Sequence, residues 1–528
     1  MTDSAASAAL HRSFVTITGA FGTRQVHYRR GGRGPAVLLL HQSPQSSREM
    51  EPLIEAWGKA FTLIAPDSPG YGFSDPLLHE GRPAVSATME DLARATLEFA
   101  DALGLGRFGI YGFHTGASIG TALAEADPGR VAAVAANGLV VLSDAERESI
   151  LRDYLPPFIP RWDGGHLAWL WGRLREQTIF FPWHDRRAAT RMDFDVPAPE
   201  RLQEALNEFL AAGDNYPVAY AAAFSDRADR RLPDLKVPLL VTASARDPLA
   251  GHLERIGARS ASVEVACSPD GAAALDRCFA HLQSHPGDAP TLRAGGNTGA
   301  SEYRGAPGRQ VRLVRTGTPD GSGPGERRIV VLLHAPGSSA ASIGPLSREL
   351  LASNTTVLAV DLPGHGASDP PPAMAIPGAT LEATTRHLAD ALASLTSGTD
   401  TTVTAIGDSA LIGIELARRL GTDTRVAVLD PTDWSALDTA DWLRLGLPAL
   451  DPVWSGGHLL EAWHLVRDSR LFSPWFRREH GGIRPGEPDL DDQRIQQDVR
   501  DLLRARGTWQ ALLRDVLQRD GDGPGLRS

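Results

Sequence analysis

The sequence is poor in the features that mark secreted, membrane and nucleic-acid-binding proteins. Only two cysteines occur in 528 residues, Cys267 and Cys278. Two are too few for a disulfide framework or a metal pattern, so both read as small buried apolar residues. No apolar run approaches the roughly 18–20 residues that cross a bilayer; the longest, Val131 to Leu142, is broken by Asn137 and Gly138. Positive charge is in deficit. A formal net charge of −11 argues against a nucleic-acid or anionic-membrane surface, because both need clustered Lys and Arg. The start, Met1-Thr2-Asp3-Ser4, lacks the basic and apolar segments of a secretory signal. No nucleotide, flavin or haem motif is found, so no cofactor is expected. His41, His114 and His166 follow no metal-ligand spacing, so no metal is expected either. The absences together lead to the expectation of a soluble, cytoplasmic protein.

What is present is an ordinary globular composition, 42% apolar and 22% charged, on a chain too long for one core. Residues 284–309 are rich in Gly, Pro, Ala, Ser and Thr without apolar periodicity and read as a linker. Residues 519–528 read as a flexible tail. On either side of the linker the same landmarks recur in order. An apolar run ends in His41, and another ends in His334. Asp67-Ser68-Pro69-Gly70-Tyr71-Gly72 is echoed by Asp361-Leu362-Pro363-Gly364-His365-Gly366. Trp162-Asp163-Gly164-Gly165-His166-Leu167 returns as Trp454-Ser455-Gly456-Gly457-His458-Leu459. The offsets are 293, 294 and 292. Chance does not keep offsets within two residues of each other over so many landmarks, and the period is far longer than that of a solenoid repeat.

Within the first copy, residues 12–283, short apolar runs (Ala36 to Leu40, Thr62 to Ala65, Phe108 to Tyr111, Pro238 to Thr242) read as parallel strands buried on both faces. Thr88 to Leu103 has helical spacing, with Ser86 or Thr88 as N-cap. Alternating strands and helices imply an α/β domain with helices on both faces of a parallel sheet. Residues of about 145–217 break the alternation and read as a helical cap, whose tryptophans are expected in its core. The second copy, 310–518, ends near a helix at Leu502 to Leu517, with nothing to match the last two strands. Such a sheet leaves an open edge, so an internal pseudo-dimer of the two units is expected.

Gly112-Phe113-His114-Thr115-Gly116 follows a strand and precedes a helix. With the His41 and Asp67-to-Gly72 motifs it resembles the nucleophile elbow, G-x-S-x-G, of the α/β-hydrolase superfamily. The resemblance implies two α/β-hydrolase-like units in tandem, the first complete with a helical cap and the second truncated. It also implies an oxyanion site from the backbone N–H of Gln42 or Ser43 together with that of Thr115, and an acid at Asp247. The departures are equally specific. The elbow carries His114 where the family has Ser, Cys or Asp, and Ser268-Pro269-Asp270-Gly271 stands where its catalytic His should be. His114 is therefore either an acid–base group in altered chemistry or a relic. The G-x-H-T-G elbow and D-G-x-H-L cap motif resemble a variant subfamily more than one decayed gene. His166 is the candidate partner of His114, or else a packing residue among tryptophans. In the second copy Gly407-Asp408-Ser409-Ala410-Leu411 is read as an elbow with Ser409 at the position of His114. Asp430 is a candidate acid and His458 the counterpart of His166, all as remnants without a base. The expected function is hydrolysis of a small, mostly apolar ester or carbonyl substrate at His114. The alternatives are a lyase, decarboxylase or isomerase in the same pocket, or a ligand-binding pseudoenzyme.

Overall fold

The computed structural model describes residues 9–292, 300–317, 328–352, 354–371, 378–421, 423–430 and 439–521. The chain forms two compact units, one of residues 1–159 and 170–297, the other of residues 160–169 and 298–528.

The first unit is built on an eight-stranded sheet: β1 (His11–Gly19), β2 (Gly22–Gly32), β3 (Ala36–Leu40), β4 (Thr62–Pro66), β5 (Phe108–Phe113), β6 (Val131–Asn137), β7 (Leu239–Ser244) and β8 (Val263–Ser268). Their spatial order is β1-β2-β4-β3-β5-β6-β7-β8. From β4 onward the pairing is parallel. All five residues of β3 and all seven of β6 are buried, which explains their unbroken apolar sequence. The helix Met89–Ala102 starts from Thr88, whose side chain accepts from Asp91 N in a capping box. Under the sheet, Val37, Leu39, Ile54, Trp57, Phe61 and Tyr111 share one core. The cap consists of helices Asp144–Asp153, Gly165–Gln177, Pro199–Ala212 and Tyr216–Ser225, eight residues longer at its end than the sequence pattern implies. Cys278 is buried as expected, but Cys267 is exposed, because it lies on the edge strand β8.

The second unit has six strands: β9 (Ser301–Arg304), β10 (Val311–Thr316), β11 (Arg328–Leu333), β12 (Thr355–Val360), β13 (Asp400–Ile406) and β14 (Arg425–Leu429). Their order, β9-β10-β12-β11-β13-β14, repeats the first six positions of the first sheet. Among the described residues no strand covers β14, and Val426 and Leu429 there are 39% and 36% exposed, whereas Val134 on β6 is fully buried. Strand β9 lies inside the segment read as linker. It pairs antiparallel with β10, so the second sheet begins earlier than composition suggests. At the linker's other end Asp288 is tied to the first sheet: its carbonyl accepts from Ala36 N and its carboxylate from Arg107 N. The single helix expected at Leu502 to Leu517 is two, Asp492–Arg504 and Thr508–Gly521, broken at Gly507, where φ is 83°. Residues 522–528 of the expected tail lie outside the described residues.

Candidate functional site

The turn after β5 puts His114 at φ 47° and ψ −106°, immediately before the helix Thr115–Ala126. A side chain there is strained, and two glycines make the strain bearable. A Cβ on Gly112 would sit 2.2 Å from the carbonyl oxygen of Gly116, and one on Gly116 2.1 Å from that of Leu40. Strand and helix therefore close around His114 more tightly than any side chain permits.

Asp247 arrives from the turn after β7. Its Oδ2 lies 3.0 Å from His114 Nε2, and its Oδ1 accepts from Leu249 N at 2.8 Å. Burial works to raise the Asp247 pKa, but the hydrogen bond and charge of His114 outweigh it and hold the carboxyl below its usual range. An ionised carboxylate only accepts. Nε2 therefore carries the ring hydrogen, and Nδ1 is the lone-pair nitrogen. The ring stacks on Phe113 at 4.1 Å and borders a cavity of about 390 Å³ between the sheet edge and the cap. Apolar residues dominate its wall, among them Val140, Phe181, Met192, Phe194, Phe224 and Leu249, with Gln42, Ser43, Thr115, Tyr154, Gln177 and Tyr220 adding polar atoms.

Of the two expected oxyanion donors on the first loop, Gln42 is engaged elsewhere. Its backbone N–H donates to Glu49 Oε2 at 3.0 Å, and its amide nitrogen donates to Glu49 Oε1. Half-buried Glu49 is pushed up to about 7 by desolvation, against the pull of these donors. Ser43 N donates to Thr115 Oγ1 at a long 3.3 Å, which sets its N–H beside the first residue of the helix. The Thr115 N–H has no partner within the helix because it lies in the first turn. His41 itself is structural: Ser68 N donates to its Nε2, and its Nδ1 donates to the Gln42 carbonyl. Glu49 is the residue that sequence reasoning missed. A carboxylate eight positions after His41, in a loop of small polar residues, was the available signal.

His166 does not join His114. It belongs to the second unit and is buried. Arg161 N donates to its Nδ1, and its Nε2 donates to Gln496 Oε1, so neither ring nitrogen is left for chemistry. His458 repeats the inner half of this arrangement, accepting from Val453 N at the same five-residue interval. In both copies the histidine closes the turn that starts a cap helix. The tryptophans divide: Trp171 and Trp183 are core, as expected, while Trp162 is 69% exposed.

Strand register revises the reading of the second elbow. Leu40 pairs with Gly112, and its counterpart Leu333 pairs with Ala405. Counting from these pairs, Gly407 takes the place of His114 and Ser409 the place of Gly116. The backbone agrees, since the positive φ, 54°, is at Gly407. Ser409 is not at the nucleophile position. It is fully buried, and its hydroxyl caps the turn by contacting the Ile406 carbonyl at 2.8 Å and the Leu333 carbonyl at 3.3 Å. Asp430, exposed at the end of β14, takes the place of Gly138. The second unit still encloses a cavity of about 650 Å³, bordered by Asp408, Trp442, Leu465, Ser469, Trp475 and Trp509 among others.

Two family models match the chain: one described as "alpha/beta hydrolase fold" over residues 35–252, and one described as "Alpha/beta hydrolase family" over residues 330–523. The chain is 28% identical over 130 residues to the (E)-2-((N-methylformamido)methylene)succinate hydrolase of Acinetobacter baylyi, covering 24% of this chain and 47% of that protein. It is 34% identical over 111 residues to haloalkane dehalogenase 2 of Mycobacterium tuberculosis, covering 21% and 37%. The chain spans less than half the length of the curated relatives it matches. Among solved structures it is similar to an epoxide hydrolase mutant of Vigna radiata, with 18% identity, a TM-score of 0.41, and coverage of 52% of this chain and 98% of the other.

Proposed function

This chain carries two α/β-hydrolase domains in tandem, and on that premise we propose that the first is a hydrolase of a small, mostly apolar ester or carbonyl compound, with His114 as its general base. The observation that carries the proposal is the His114–Asp247 pair, 3.0 Å apart, whose imidazole lies in the wall of an apolar cavity. Asp247 holds the imidazole in the tautomer whose Nδ1 accepts a proton. That nitrogen takes a proton from water as the water oxygen bonds to the substrate carbonyl carbon. The carbonyl oxygen becomes an oxyanion beside the N–H groups of Ser43 and Thr115 and the positive end of the helix that follows. When the carbon–leaving-group bond breaks, the imidazolium returns the proton to the departing oxygen. No acyl-serine forms, because the elbow has no hydroxyl. That the Acinetobacter baylyi relative is named as a hydrolase supports the reaction class.

A second reading has its own observation. No histidine stands in the turn directly after β8; Asp270 is there instead, and its side chain caps the helix Gly271–Ser284. One proton-transfer group without a nucleophile also suits a lyase, decarboxylase or isomerase. Turnover of a panel of short esters and lactones tests the first reading. His114→Ala should cost about 10²–10⁴-fold in rate with little change in thermal unfolding. Full activity in folded His114→Ala protein would end the proposal. Ligand binding with no turnover by the wild type would favour a pseudoenzyme.

A further inference from the structure

The cap of the first unit contains a buried cation that the mechanism above does not use. Arg173, on the helix Gly165–Gln177, is 2% exposed. Its guanidinium lies against the rings of Tyr154, Trp183, Phe209 and Tyr216, with centroids 5.3–5.7 Å away. Nε and Nη2 have no hydrogen-bond partner, and among the described residues no carboxylate pairs with the group. The second copy shows that the fold does not require this arginine. At the offset of 292 that aligns the two cap helices, Arg173 corresponds to Leu465 and Gln177 to Ser469, and the helix Gly457–Ser469 forms regardless.

The charge is relayed toward the cavity. Arg173 Nη1 donates to Gln177 Oε1 at 3.1 Å. An arginine is only a donor, so this bond fixes the orientation of the Gln177 amide. Its NH₂ then points to Tyr220 and donates to the phenol oxygen at 3.3 Å. The hydroxyls of Tyr220 and Tyr154 lie near each other. Tyr220 accepts from Gln177 through its oxygen, so its own hydroxyl hydrogen remains to be donated. Gln177, Tyr154 and Tyr220 all border the cavity. Burial raises both phenols above their usual range, so they stay protonated donors near neutral pH. This part of the wall consists of donors backed by an unpaired buried cation, within an otherwise apolar pocket. The one carboxylate among the residues that line the cavity is Asp195, exposed to solvent; Asp247 lies behind His114, tied to it.

We propose that Gln177, Tyr154 and Tyr220, backed by Arg173, form a carboxylate subsite, so that the substrate is an apolar molecule bearing a carboxylate apart from its reacting carbonyl. This rests on the reading of the cavity as a substrate site. The anion receives a phenol hydrogen bond and an amide hydrogen bond, and it supplies the countercharge that the cap withholds from Arg173. The repulsion of Asp247 orients the molecule with its carboxylate toward the cap.

Calorimetric titration of the full chain with phenylacetate, and with phenylacetamide as its neutral isostere, tests the proposal. Wild-type protein should prefer phenylacetate by about tenfold or more. Arg173→Leu, which copies the residue of the second unit, should abolish the preference, and Tyr220→Phe and Gln177→Leu should reduce it. The two single-site variants at the cavity surface keep the test decisive if Arg173→Leu fails to fold. Equal affinity for the two probes in wild-type protein, or an unchanged preference in the folded variants, would overturn the proposal. The titrations are repeated in His114→Ala protein. Binding is read there without turnover, so loss of the carboxylate preference and failure of the general-base reading give different results.

Discussion

The two units keep the same frame and differ at almost every position that bears on chemistry. His41 and His334 make the same pair of backbone bonds, one to the following carbonyl and one to an N–H after the next strand. Asp67 and Asp361 each accept from the backbone N–H of a loop residue, Ser47 and Ala340. Around these fixed points His114 is matched by Gly407, Gln42 by Ala335, Glu49 by Ser342, Arg173 by Leu465 and Gln177 by Ser469. The lesson is about which constraints the fold imposes. Groups that satisfy buried backbone atoms are the same in both copies, because leaving such atoms unpaired costs about 1–3 kcal/mol each. His114, Gln42 and Gln177, which border the first cavity, and Glu49 and Arg173 behind them are replaced in the second unit. None of them was needed to build the sheet or the cap, which is the pattern the proposed site predicts.

The sharpest way to break this comparison is to put the second unit's residue into the first elbow. Gly116→Ser places a Cβ about where the Leu40 carbonyl already stands, 2.1 Å away. The second unit accommodates Ser409 because its turn has rewound into a short 3₁₀ turn over Gly407–Ser409, with no side chain held at positive φ. The first unit cannot rewind without withdrawing His114 from Asp247. Gly116→Ser should therefore cost about 3 kcal/mol or more and abolish turnover. Wild-type melting temperature and rate in this variant would show that the two elbows interconvert freely.

An effect of intermediate size separates the copies by pH. Where the first unit has Tyr71, bonded to Ser43 and the Tyr216 carbonyl, the second has His365, whose pKa is pushed down to about 3, chiefly by burial and then by His334, against the Pro363 carbonyl and Asp361. The unfolded chain takes up this proton near 6.5, and the folded chain does so only near 3. Stability is thus complete above 6.5 and falls as pH drops through that window, by about 1.4 kcal/mol per unit. His365→Asn keeps a donor for Pro363 and removes the titration. Compared with wild type it should be slightly destabilised at pH 8, with the gap closing or reversing by pH 5 as wild type loses about 2 kcal/mol. His27, His252 and His458, each lowered to about 4, add loss of the same sign in both proteins, so only the difference between the two is diagnostic. A constant gap from pH 8 to pH 5 would show that His365 does not titrate this way.

Much of the frame was legible in the sequence, for a physical reason. Parallel strands buried on both faces, such as β3 and β6, must be apolar throughout, and the helix Met89–Ala102 advertises its cap at Thr88. His114 and Asp247 were each legible as candidates, because both sit at turns that glycines or a strand end mark, but their pairing was not: His166 was expected as the partner of His114. Two further things were not legible. The motif Gly407-Asp408-Ser409 looks enough like an elbow to pull the alignment two residues from the register that the β11–β13 hydrogen bonds impose. And the bond between His166 and Gln496 joins residues 330 apart, a proximity that no local pattern encodes.

The smallest effect comes from Ser409 and tests the revised register directly. If Ser409 occupied the nucleophile position, its hydroxyl would be open to reagents and its loss would leave the fold alone. In the register found here it is fully buried. Its oxygen accepts from Ile406 N at 2.9 Å and contacts the Ile406 and Leu333 carbonyls. Ser409→Ala removes these bonds and leaves backbone groups under-satisfied, a loss of about 1–2 kcal/mol. Turnover in the first unit should stay at the wild-type rate. A fluorophosphonate probe should leave Ser409 unlabelled in folded protein, since the hydroxyl has neither a base nor a path to the reagent. Mass spectrometry of probe-treated protein, with thermal unfolding of Ser409→Ala alongside, reads both effects. Stoichiometric labelling at Ser409, or a variant as stable as wild type, would return the serine to the nucleophile position and undo the alignment of Gly407 with His114.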